Sequence, residues 1–157
     1  LFWLGGGLDS RSWEHIHLSL PFILGGTAII AILSRDLNLL MLGDDDARAM
    51  GVRVSLVRPL LITAASLVTG AAVAVSGTIA FVGLVVPHML RVIVGPDHRV
   101  LIPLSAIGGG LFLVAADTIA RTIAQPAEIR VGIITAFVGA PFFIFLLIRN
   151  NRRAEAF

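Results

Sequence analysis

Between Arg58 and Arg91 the chain carries no Asp, Glu, Lys or Arg, and most of that interval is Leu, Ile, Val, Ala and Gly. A helix that crosses a bilayer needs roughly 20 predominantly apolar residues, with a range of about 17–25. The uncharged stretch Pro59–Pro87 is too long for one such helix. Ser76, Gly77 and Thr78 lie inside it and, as a group, are poor helix-interior residues. The stretch therefore divides into Pro59–Val75 and a shorter span from about Ile79 to Val94. Three more uncharged stretches, Ile16–Ser34, Val100–Ala116 and Val131–Ile148, complete the set. The expected fold is an all-α integral membrane protein with about five transmembrane helices. Pro21 and Pro59 fall near the starts of their segments, where a missing N–H costs least. Pro87 is interior and should kink or shorten its helix. Gly95-Pro96-Asp97 reads as a turn.

Charge supports lipid as the solvent. Only 14% of the residues are charged, against about 25% in a soluble domain. All the basic residues are arginine, and they are scattered between apolar runs. The sequence pI of about 11.0 reflects absent lysine and tyrosine rather than a basic stripe, so no nucleic-acid partner is expected. Cysteine is absent, which excludes disulfides, thiol catalysis and cysteine metal sites. The first residues, Leu1 to Gly7, are apolar and glycine-rich without a basic segment, unlike a signal peptide. The expectation is a chain cut from a longer polypeptide.

Arginine asymmetry gives an orientation. Five spans put Arg35, Arg48, Arg53, Arg58, Arg91, Arg99, Arg149, Arg152 and Arg153 on one side, and Arg11, Arg121 and Arg130 on the other. The first side is expected to be cytoplasmic, with the C-terminus and the long first loop. Small residues recur at helical spacing in Ser66, Gly70 and Ala74, and again in Gly132, Ala136 and Ala140. Such stripes let helix backbones approach closely in lipid, either within one chain or between subunits.

The loop after the first span, Asn38 to Val52, is the most informative segment. Gly43 and Gly51 bracket a run of helix-forming length. Asp44, Asp45 and Asp46 fall in its first turn, where the helix dipole favours negative charge. Gly51 stands where a helix would stop. A solvated connector would not require two glycine brackets and an acidic first turn. The segment Gly43, Asp44, Asp45, Asp46, Ala47, Arg48, Met50, Gly51 is expected to be a short, rigid cytoplasmic helix that docks a partner.

This loop resembles the coupling-helix loop of the FecCD family of ABC importer permeases. So do Ser76-Gly-Thr-Ile-Ala-Phe-Val-Gly-Leu-Val-Val-Pro-His-Met-Leu-Arg91, Gly95-Pro-Asp-His-Arg99, Ala116-Asp-Thr-Ile-Ala-Arg121, Pro126-Ala-Glu-Ile-Arg-Val-Gly132 and Gly139-Ala-Pro-Phe-Phe143. Phe2 to Leu8 and Arg11-Ser-Trp13 resemble the segment before the family's sixth helix. In this ordered set the resemblance covers nearly the whole chain. Family members have about ten spanning helices, so residues 1–157 resemble the C-terminal half of an ABC transporter permease domain. Three positions depart from the usual pattern. Asp44 stands for Glu, Arg130 for Pro, and the run Gly5–Gly7 for Gly-Ser.

The resemblance implies a bacterial inner (cytoplasmic) membrane, multi-pass importer subunit for ferric siderophores, with heme or cobalamin next. Its partners would be a cytoplasmic ABC ATPase on the coupling helix, a second permease subunit (the same chain or another), and a periplasmic or lipid-anchored substrate-binding protein. The chain has no lysine and so no Walker A motif. It is therefore expected to be no enzyme and to bind no cofactor itself, with ATP on the partner ATPase. The alternative is an ion-coupled secondary transporter or channel. Those usually place acids near mid-membrane, whereas the acid inside a span here is Asp117, close to an end.

Asp117 and Arg121 are spaced for a helical ion pair. By resemblance, Arg121 also matches an outer arginine that meets acidic residues of the binding protein, and Glu128 goes with it on that face. Glu128 also suits a loop residue that fixes the outer turn. His88, beside Pro87, is read as a hydrogen-bond partner for carbonyls the proline frees, not as a metal ligand. His15 and His17 do not share a helix face, and His98 is placed in the turn. No metal site is expected.

Overall fold

The computed structural model describes residues 6–7, 12–123 and 130–154. Among these the regular structure is all helix: α1 (Trp13–Ile32), α2 (Ser34–Leu40), α3 (Asp44–Ala49), α4 (Val54–Ser76), α5 (Val82–Val94), α6 (His98–Ile123) and α7 (Val131–Ala154). Four of them, α1, α4, α6 and the Val131–Ile148 part of α7, are long and apolar enough to cross a membrane. Their side chains mostly point away from the protein: Leu18, Phe22, Ile62, Leu111 and Phe137 are all exposed. In water such surfaces would collapse together. In lipid they are at no disadvantage, because the backbone polar groups are satisfied inside each helix.

The chain breaks where Ser76, Gly77 and Thr78 led us to expect it. The α4 helix ends at Ser76, Gly77 takes φ +69°, and α5 begins at Val82. The fifth apolar helix is shorter than anticipated. With 13 residues it is about 20 Å long, against about 30 Å of hydrocarbon. Non-helical backbone over 77–80 makes up part of the difference. Gly6 and Gly7 lie against this stretch: the Gly7 N–H donates to the Ser76 carbonyl at 2.9 Å, and a side chain on Gly6 would collide with the Thr78 carbonyl.

The prolines need correcting. The α1 helix starts at Trp13 and α4 at Val54, so Pro21 and Pro59 lie inside their helices, not at the starts. Helices extend beyond the uncharged runs because their polar ends can sit at the membrane interface. The Thr63 hydroxyl donates to the Pro59 carbonyl at 2.8 Å, a contact within the helix.

The α1 helix packs on α4, α5 on α6, and α7 on both α5 and α6. Gly26 sets the first approach, since a Cβ there would overlap Val68 and come within 3.1 Å of the Ala64 carbonyl. Gly108 sets the second, since a Cβ there would come within 3.1 Å of Val86 and 3.2 Å of Leu90. At the third, Phe81 fills the space beside Gly139. Close approach through missing side chains is the usual packing device where water supplies no hydrophobic drive.

Candidate functional site

The α3 helix is short, and its ends are tightly specified. Gly43 precedes it with φ +121°, a conformation side chains rarely adopt. It stops at Met50, and Gly51 follows with φ +88°. The Val52 N–H donates to the Ala47 carbonyl and the Gly51 N–H to the Arg48 carbonyl, each at 2.9 Å. These are the two bonds of a Schellman stop, and the usual apolar contact accompanies them. Ala47 is fully buried with Val52 and Val54, and Leu39, Leu40 and Val57 pack around them. This small core fastens α3 to α2 before it and α4 after it.

Charge fastens it again. The Arg58 guanidinium on α4 grips the Asp44 carboxylate with both nitrogens, one bond measuring 2.9 Å. Asp44 is thus turned inward, while Asp45, Asp46, Arg48 and Met50 are exposed. Arg48 pairs with Asp45 at 3.3 Å in full solvent. Exposed Met41 and Leu42 precede the helix and add apolar area to the same projecting loop. The sequence reading placed these two within the informative loop, Asn38 to Val52, but left them out of the docking residues; their position just before Gly43 was the available signal.

A second group was also missed. Asn38 on α2 reaches the turn between α5 and α6. Its amide nitrogen donates to the Asp97 carboxylate at 2.7 Å. Its amide oxygen accepts the His98 backbone N–H at 3.0 Å and lies 2.7 Å from His98 Nδ1. An amide oxygen only accepts, so His98 carries its proton on Nδ1 here. The Arg99 backbone N–H and then the Asn38 amide hold the Asp97 carboxyl below its ordinary value of 3.8. His98 thus opens α6 as well as closing the turn.

Asp117 and Arg121 form the expected pair, Nε to Oδ2 at 2.7 Å. Glu128 lies outside the described residues. His88 does not serve the carbonyls freed by Pro87 as anticipated. Its ring meets Phe142 edge to face, with centroids 5.9 Å apart. A cavity of about 670 Å³ between α1, α4, α5 and α6 is lined by Thr69, His88, Arg91, His98 and Ser105, among others.

The small-residue stripes divide. Ser66, Gly70 and Ala74 do not pack within the chain. They are exposed and line one wall of a groove of about 400 Å³ whose other wall is Leu18, Ser19 and Phe22. The close contact of α1 with α4 lies at Gly26 instead. Gly132, Ala136 and Ala140 are half-buried, and the buried row of α7 is Val131, Thr135 and Gly139, one residue earlier.

Comparison with known proteins places this arrangement. Residues 1–149 match the FecCD transport family. The chain is 49% identical over 154 residues to the cobalamin import system permease protein BtuC of Halobacterium salinarum, covering 98% of this chain and 41% of that one. It is 43% identical over 152 residues to the hemin transport system permease protein HmuU of Yersinia pestis (96% and 45%). With the Fe(3+) dicitrate transport system permease protein FecD of Escherichia coli it shares 44% over 149 residues (95% and 47%). A solved structure described as an inward-facing conformation of a metal-chelate type ABC transporter superposes with a TM-score of 0.86 at 36% identity, over 94% of this chain and 48% of that one. The chain spans less than half the length of each of these relatives.

Proposed function

Because the chain belongs to the FecCD transport family and is a multi-pass membrane protein, we propose that it forms the C-terminal half of a permease in a binding-protein-dependent ABC importer. The permease lies in the cytoplasmic membrane, with α3 and the C-terminus on the cytoplasmic side. The names of the relatives support a bulky metal chelate as substrate: a ferric siderophore first, then heme or cobalamin. The chain conducts and transduces. ATP is bound and hydrolysed by a separate ATPase subunit, a binding protein delivers substrate at the opposite face, and a second permease subunit completes the pathway.

One observation carries this reading. The α3 helix projects from the membrane-spanning helices with Asp45, Asp46, Arg48 and Met50 exposed, yet its own backbone is locked by two glycines and a buried Ala47. A loop that only joins two spans does not need that rigidity. A lever does, because a force applied to a slack loop moves nothing. We assign Gly43, Asp44, Asp45, Asp46, Ala47, Arg48, Met50 and Gly51 to seating in the ATPase. Arg121, with Glu128 beyond it, belongs to the binding-protein face.

The test is Ala47→Pro in a permease assembled from this chain. The substitution removes the N–H that donates to the Gly43 carbonyl at 3.0 Å and strains the preceding turn, at about 3 kcal/mol or more. The ATPase should no longer copurify, while the thermal melt of the spanning helices persists. A variant that melts normally and retains its ATPase would show that α3 is a connector.

A further inference from the structure

Asn38 joins parts of the chain that are far apart in sequence. It sits on α2, and its bonds reach Asp97 and His98 at the start of α6, 59 and 60 residues on. Its amide meets two needs at once. The nitrogen satisfies a carboxylate, and the oxygen takes two donors from His98. Asp97 cannot donate and a backbone N–H cannot accept, so the amide fits in one orientation only. Apolar contacts between helices can slide, whereas a set of directed bonds fixes register. Arg91 adds a weaker contact at the same junction, its guanidinium 3.7 Å from the Met41 sulfur.

The position of this amide matters because of what lies on either side. The α2 and α3 helices share one small core, Ala47, Val52 and Val54 with Leu39 and Leu40 packed on it, and so move as one piece. Besides its packing on α4 and α6 and its continuity with α1, that piece has two directed polar ties to the spanning helices. Arg58 holds Asp44 and ties α3 to α4. Asn38 ties α2 to the turn between α5 and α6, and that hairpin packs on α7.

We infer that Asn38 is a positioning residue that passes displacement of α3 to the α5–α6 turn, and so to half of the spanning helices. The inference rests on the reading of α3 as the ATPase seat. Without the amide, α3 would still dock and would still move α4, but the hairpin would not follow.

The experiment uses a permease assembled from this chain, reconstituted with its ATPase in liposomes. The chain has no cysteine of its own, so spin labels can be placed at Val92→Cys on α5 and Leu56→Cys on α4, both exposed. The distance between labels is read by pulsed electron resonance, nucleotide-free and trapped with ADP and vanadate. Trapping should shift the distance, and Asn38→Ala should abolish the shift while the ATPase copurifies undiminished. Asn38→Asp alone should fail too, since two carboxylates then face each other. Asn38→Asp combined with Asp97→Asn should restore part of the shift, because the carboxylate at position 38 accepts from His98 and from the new amide, while the Arg99 N–H loses the oxygen it donates to. A shift that survives Asn38→Ala overturns the inference. So does an unsubstituted protein with no shift, or a swapped pair that stays uncoupled. Loss of the ATPase from Asn38→Ala also overturns it, by making the amide part of the fold of the seat. Retention of the ATPase by Ala47→Pro would instead overturn the docking reading, and this inference with it.

Discussion

Phe81 occupies the space that a side chain on Gly139 would need, and Phe81 itself takes a left-handed backbone conformation, φ +67°. Among the described residues it is the non-glycine residue with positive φ. That geometry costs an L-residue about 1–2 kcal/mol. It is held where the chain leaves the non-helical 77–80 stretch and enters α5, with α7 as the opposing wall.

The pair predicts a coupled pattern of substitutions. Gly139→Ala should destabilise by about 1–3 kcal/mol, as overpacking usually does. In a Phe81→Gly background the same substitution should cost clearly less, because the ring it strikes is gone. Thermal melts of the four proteins of this double-mutant cycle measure the difference. Additive effects would show that α7 does not rest on Phe81.

Topology follows from the charge distribution. A cysteine at Ala49 should react with a membrane-impermeant maleimide only when the cytoplasmic face is opened, and one at Ile123 only from outside. Both side chains project freely enough to label, since Ala49 and Ile123 are exposed. Labelling of position 49 from outside intact cells would reverse the orientation.

Arg121 stands on the opposite end of the helices from α3. Its pair with Asp117 is 58% and 23% exposed, so the bond adds at most about 1 kcal/mol to stability. Loss of that bond and a like-charge pair four residues apart in Arg121→Glu should each lower the melt only slightly. It should weaken association with the binding protein, since like charges across an interface are costly, and most at low salt. Equal affinity of the two proteins at low ionic strength would show that Arg121 does not meet the binding protein.

The Asp97 carboxyl gives a pH expectation. Its value in the folded chain lies below the ordinary 3.8, held there by the Arg99 N–H and then by Asn38. Stability from these bonds is therefore fully present above 3.8 and is lost as pH falls through the lower folded value. The melting difference between the unsubstituted protein and Asp97→Ala should persist from pH 8 to pH 5, growing as neighbouring His98, whose value lies below 6.5, gains charge, and should close only in stronger acid. A difference that disappears near neutrality would mean that the carboxylate is not what Asn38 holds.

Much of this molecule was legible in sequence. Charge-free runs marked the apolar helices in order, because burying a charge in lipid is costly wherever it occurs along the chain. Ser76-Gly77-Thr78 marked the break before α5, and Gly43 and Gly51 marked the ends of α3, because helix interruption and positive φ are local properties of a few residues. Asp117 and Arg121 were paired by spacing alone. What the sequence could not supply was contact between residues distant along the chain. Asn38 shows no pattern linking it to Asp97, and Phe81 none linking it to Gly139. Which small residues bring helices together was equally hidden: Gly26 and Gly139 do so, while Ser66, Gly70 and Ala74 line an open groove. Spacing says which residues share a face of one helix. Only the packed structure decides what that face meets, because the rotation and depth of each helix are set by its neighbours and not by its own residues.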